Sequence, residues 1–155
     1  HYFEIGSKFP LFFALIASML GLSSYLNSKY VWQFGAGKIA LSFSLLLMIW
    51  TLITLAFQLN YFSLNLIWFS IFIMISFSFF GFIFGNLNAL AINPFGHIAG
   101  YASSIIGSLS TLIALVVSGT STTFFDGSPD IVIFTLSTCS ILTFLLLFFL
   151  RVFRS

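Results

Sequence analysis

Apolar residues in this chain do not alternate with polar ones; they come in blocks. Five blocks without a single Asp, Glu, Lys or Arg can be placed at about residues 9–26, 39–57, 64–92, 98–118 and 131–150. Each is near or above the roughly 20 helical residues that cross about 30 Å of hydrocarbon. The alternating ten-residue pattern of a membrane β-barrel is missing. Backbone polar groups in lipid must find partners within their own segment, so the blocks predict helices. The expectation is an all-α, polytopic membrane helix bundle of five transmembrane helices. Pro10 suits the first turn of the first span. The third block exceeds what one crossing needs, so it tilts or emerges near Asn86 and Asn88.

Charge sets the orientation. Lys29 and Lys38 flank the first long connection, and Arg151 and Arg154 follow the last span. Lys8 shares the opposite side with all three acids, Glu4, Asp126 and Asp130. Basic residues concentrate on the cytoplasmic face. Five spans then put the C-terminus in the cytoplasm and the N-terminus of the chain outside, in a cell (inner) membrane. Tyr30, Trp32 and Tyr61 fall near span ends, with Trp50 and Trp68 toward the outer ends of theirs, where amphipathic rings anchor at the interface.

Composition agrees with this partner, the lipid bilayer. The chain is 60% hydrophobic and 5% charged over 155 residues, against about 25% charged in soluble domains, and its mean hydropathy is +1.16. Its single cysteine, Cys139, excludes an internal disulfide and reads as a small buried hydrophobe. The chain opens on His1 without a basic leader or a small-residue cleavage site, and looks like a cut through a longer protein.

Between residues 81 and 108 small and polar groups gather around the break Asn93-Pro94-Phe95-Gly96-His97. Gly81 and Gly85 form one G-x-x-x-G, Gly96 and Gly100 another, and Gly100, Ser104 and Ser108 recur every four residues beside Ser103, Gly107 and Thr111. Such faces let helix backbones approach closely; helix packing is the plain reading, and a sliding or cavity-lining face the other. Asn86 and Asn88 point in different directions on a helix. An amide in hydrocarbon needs a partner or water, so they are candidates for a cavity, or for capping and packing. His97 reads as an interface residue at a helix start, with a proton relay as the alternative.

No metal-ligand cluster, phosphate loop or nucleophile elbow is present, and no basic run for nucleic acid. The chain is therefore expected to use no cofactor and no metal, and not to be an enzyme. An ionisable residue within a span, usual in proton-coupled carriers, is also missing.

The segments Gly85-Asn86-Leu87-Asn88-Ala89-Leu90-Ala91, Asn93-Pro94-Phe95-Gly96-His97-Ile98-Ala99-Gly100 and Ala102-Ser103-Ser104 with Gly107 resemble the tenth and eleventh spans of major facilitator superfamily transporters. The Bcr/CflA-type multidrug efflux branch is the most similar. The stretch from Leu26 to Lys38 is similar to that family's loop between spans eight and nine, with Asn27, Lys29, Gly35 and Lys38 retained and Trp32-Gln33 where relatives carry a basic pair. Phe125-Asp126-Gly127-Ser128-Pro129 resembles its last outer loop. The resemblance implies that residues 1–155 are a partial C-terminal bundle, spans eight to twelve, of a drug/proton antiporter working by alternating access. It further implies an amphipathic small-molecule substrate, a missing N-terminal half carrying the coupling acid, cavity candidates Asn86, Asn88, Ser103 and Ser104, and a cytoplasmic gating loop at Asn27, Lys29, Gly35 and Lys38. The alternative is a non-transporting membrane scaffold held together by its glycine and serine faces.

Overall fold

The computed structural model describes residues 9–60, 65–124 and 129–152. All of its regular structure is helical: α1 (Phe9–Phe34), α2 (Ala36–Asn60), α3 (Leu66–Ile92), a 3-10 stretch (Asn93–Ile98), α4 (Ala99–Thr123) and α5 (Asp130–Val152). Neighbouring helices pack in the spatial order α1, α3, α2, α5, while α4 touches its neighbours sparingly. The all-α expectation holds.

Four helical segments, against the five spans expected, are long and apolar enough to cross a membrane: Pro10–Phe34, Ala36–Asn60, Leu66–Thr123 and Asp130–Leu150. The count differs because α3 and α4 are joined without an open loop. Pro94 stands at the start of the 3-10 stretch, where its missing N–H costs no hydrogen bond. The break is a kink instead, with non-helical angles at Phe95 (φ −108°, ψ 28°) and Ile98 (φ −129°, ψ 31°). α4 nevertheless returns to the end from which α3 departs. Ser121, near the end of α4, hydrogen-bonds Thr135 on α5 at 3.0 Å, and Asp130 at the start of α5 accepts a bond from Gln58 at the end of α2.

The expected connection from Leu26 to Lys38 is also almost entirely helical. Nothing between Leu26 and Phe34 breaks a helix, and leaving hydrocarbon does not require leaving helical geometry. Only Gly35 interrupts, at φ 80°. Its N–H donates to Val31 O at 2.9 Å, the single 5→1 bond of a left-handed C-terminal cap. Its own carbonyl then accepts from Ile39 N at 3.2 Å as α2 begins.

Burial runs opposite to that of a water-soluble bundle. Among the described residues the buried polar set (Ser23, Asn27, Ser44, Thr51, Ser76, Asn86, Ser137, Ser140) is as large as the buried hydrophobic one. Leu, Ile and Phe side chains crowd the outside. In water that arrangement wastes the driving force for folding. In lipid, where tails are as apolar as leucine, helices associate through close packing and polar contacts. The fold is that of a multi-pass membrane protein.

Two hydrophobic pieces complete the interior. Phe72 and Ile133 form a small core with Trp50, Phe69, Ile73 and Leu136 against it. Phe43 on α2 stacks on Phe82 of α3, ring centroids 4.0 Å apart at 8°. Trp50 makes a helix-to-helix contact: it stacks on Phe72 at 6.4 Å and donates a long 3.4 Å bond to Phe72 O. Trp32 and Trp68 do stand exposed near helix ends, at 91% and 59%. Cys139 is half-buried and free. Tyr61, Lys8, Glu4, Asp126 and Arg154 lie outside the described residues.

Candidate functional site

The most constrained polar arrangement lies between α1 and α3. Asn86 is 2% exposed and Asn27 9%. Their amides face each other and exchange hydrogen bonds: Asn86 Nδ2 to Asn27 Oδ1 at 2.7 Å and Asn27 Nδ2 to Asn86 Oδ1 at 3.3 Å. Asn86 Nδ2 also donates to Phe82 O one turn earlier, at 2.7 Å. Paired in this way, two amides meet their hydrogen-bonding needs without water, as buried polar groups require.

The pair exists because α1 and α3 come unusually close. A Cβ at Gly81 would sit 2.7 Å from Ser23 Cβ and 2.8 Å from Leu20 O, so glycine alone permits the approach. Ser24 Oγ reaches Gly81 O at 3.5 Å. Gly85, one turn on, would place a Cβ 4.0 Å from Asn27 Nδ2. Gly81, Gly85 and Asn86 therefore make one continuous α3 surface against Leu20, Ser23 and Asn27 of α1.

A second polar seam joins α2 and α5. Thr51 Oγ1 and Ser140 Oγ lie 2.8 Å apart, and Ser137 Oγ donates to Thr51 O at 3.2 Å. Ser137 Oγ shares its one proton with Ile133 O of its own helix at 2.7 Å, and Ser140 Oγ donates to Ser137 O at 2.8 Å. Serine and threonine can do this in a helix without exposing a polar group. Nothing in the sequence pattern distinguished them from other scattered hydroxyls; only their register across two helices does.

The residues expected to line a cavity are not brought together. Asn86 is sealed against Asn27. Asn88 is half-buried, and its side chain makes no hydrogen bond among the described residues. Ser103 and Ser104 are exposed on α4, each donating to Gly100 O at 2.9 Å. Ser104 and Ser108, with Ile105, Leu109 and Leu112, line an open groove of about 330 Å³, and neither asparagine borders it. Of the expected packing glycines, Gly96, Gly100 and Gly107 face open space, since a Cβ added at any of them would meet nothing within 4 Å, and Ala102 is the sole buried residue of α4.

The expected gating residues divide likewise. Asn27 is part of the amide pair, whereas Lys29 and Lys38 are exposed on α1 and α2, Lys29 Nζ lying 4.6 Å from the Tyr25 ring centroid. His97 stands exposed in the 3-10 stretch. Among the described residues no group of His, Cys, Asp and Glu could hold a metal ion. No protein-family model, curated protein or solved structure matches the chain.

Proposed function

We propose that this chain forms one helical wall of a proton-coupled drug efflux transporter of the major facilitator type, in which two bundles rock around a midplane site. The observation that carries the reading is the state of α4. Four helices are joined by glycine contacts, amides, hydroxyls and stacked rings. The fifth, 25 residues long and rich in Gly, Ser and Thr, is left open along its length. A second bundle standing against α4 would cover that face, and the groove beside Ser104 would then open onto the space between bundles. In this reading Ser103 and Ser104, exposed on α4, meet an amphipathic small molecule there. Asn86, with Asn27, serves to hold α1 to α3.

In this reading α3 and α4 are separate crossings, five in all. A straight helix of 58 residues would extend about 87 Å, nearly three bilayer cores, and α4 folds back instead. The positions of Lys29, Lys38, Arg151 and Arg154 in the sequence support a cytoplasmic C-terminus in an inner membrane, with the start of the chain outside. Uncharged spans leave proton coupling to the other bundle.

The test is Ser104→Leu in the full-length protein. The side chain is exposed, so membrane abundance is expected to stay unchanged while drug efflux falls at least tenfold. Full efflux at equal abundance would remove α4 from the pathway. A scaffold that merely assembles through α4 is the second reading, favoured by the open faces of Gly100 and Gly107. It is distinguished by the sequence upstream: six further spans with an intramembrane acid belong to a transporter.

A further inference from the structure

We propose that the end of the bundle carrying Lys29 and Lys38 seats the headgroup of an anionic phospholipid. Three contacts bring the residues to one end. Gly35 joins α1 directly to α2. Gly37 lies beside the last turn of α3, where an added Cβ would meet Leu90 Cδ1 at 4.0 Å. The amide pair ties the last two turns of α1 to those of α3. Lys29, Lys38 and the Asn93–Ile98 stretch with His97 therefore crown the same end.

That end holds no described carboxylate. Asp130, the one acid among the described residues, lies at the opposite end and is engaged by Gln58. Both lysines are exposed, so their positive charge is offset by nothing within the described fold. Lys29 is braced from below by the Tyr25 ring, which steadies the ammonium without neutralising it.

Exposed rings share this end of the bundle. Tyr25 is 58% exposed, Tyr30 48%, Trp32 91% and Tyr101 69%. Rings with an apolar body and a polar edge settle at the boundary between acyl chains and headgroups. They fix the depth of this end, so that the two ammonium groups lie level with lipid phosphates. A soluble anion would meet the charges but leave the rings unused. A phospholipid meets both, its phosphate on the lysines and its upper acyl chains on the rings. Anionic headgroups add a second attraction that zwitterionic ones lack. This needs the chain to lie in a membrane but not to transport anything.

The test extracts the full-length protein from liposomes of equal phosphatidylglycerol and phosphatidylcholine with matched acyl chains, and counts retained lipids by native mass spectrometry. Wild type is expected to retain phosphatidylglycerol preferentially. Lys29→Gln and Lys38→Gln are each expected to lower that preference roughly fivefold, whereas Lys29→Arg and Lys38→Arg keep it. Phosphatidylglycerol should also raise the thermal midpoint of the wild type above its value in phosphatidylcholine alone, a readout that depends on no variant folding. An unchanged preference in the Lys29→Gln/Lys38→Gln protein would overturn the proposal. So would displacement of the lipid by excess inorganic phosphate but not by chloride of equal ionic strength, which would show a soluble-anion site.

Discussion

The Asn27–Asn86 pair offers the sharpest test of how this bundle is held together. Replacing Asn86 by Leu deletes both bonds to Asn27 and the one to Phe82 O, and leaves the Asn27 amide buried without its partner. Inter-helix hydrogen bonds in membrane proteins contribute about 0.6 kcal/mol on average and up to about 1.7 kcal/mol. Two such bonds in a reciprocal pair give a coupling of about 1–2 kcal/mol. Stranding the surviving amide adds a desolvation cost of about 1–3 kcal/mol. Asn86→Leu and Asn27→Leu are each expected to destabilise by about 2–5 kcal/mol on these terms. The double variant should cost less than their sum, since with both amides gone neither is stranded. Reversible unfolding in mixed micelles, or steric trapping in bicelles, measures all four corners of the cycle. Additivity within about 0.5 kcal/mol, the behaviour of independent sites, would refute the pairing.

Three further outcomes follow from the same geometry. Gly81→Ala should cost about 1–3 kcal/mol as an overpacking change, because its methyl meets Leu20 O and Ser23 Cβ; Gly107→Ala, with open space around it, should be neutral or mildly stabilising, and equal effects in thermal unfolding would show that α1 and α3 do not approach as described. Gly35→Ala forces a side chain into the left-handed region and should lower stability by about 1–2 kcal/mol, with Gly35→Asn costing less; indistinguishable thermal midpoints for the two would dispose of the cap. With Cys139→Ser as background, Lys38→Cys and Thr123→Cys should react with a membrane-impermeant thiol reagent from opposite faces of the membrane, and labelling of both from one face would contradict the path of α4.

How far each feature was legible in the amino-acid order follows from the range of the force that produces it. Helicity and the membrane setting are local consequences of composition: long uncharged runs exclude water, and an excluded backbone must bond within itself. Those features were readable block by block. The extent of α1 was readable in principle as well, since nothing from Leu26 to Phe34 stops a helix; treating polarity there as a loop signal confused leaving the lipid with leaving the helix.

Partnership was another matter. Asn27 and Asn86 are 59 positions apart, and nothing within either segment says that two amides will satisfy each other. The same holds for Thr51 and Ser140, 89 positions apart. Of two similar glycine motifs, the one at Gly81 is pressed against a neighbouring backbone and the one at Gly100 faces open space, although their local sequences predict equal packing. By itself the sequence determined the solvent this protein is built for and the helical form it takes there. The tertiary structure decided which small and polar faces meet, because in a bilayer the hydrophobic effect no longer ranks one helix pairing above another, and the choice passes to shape and hydrogen bonds that exist only once the helices are side by side.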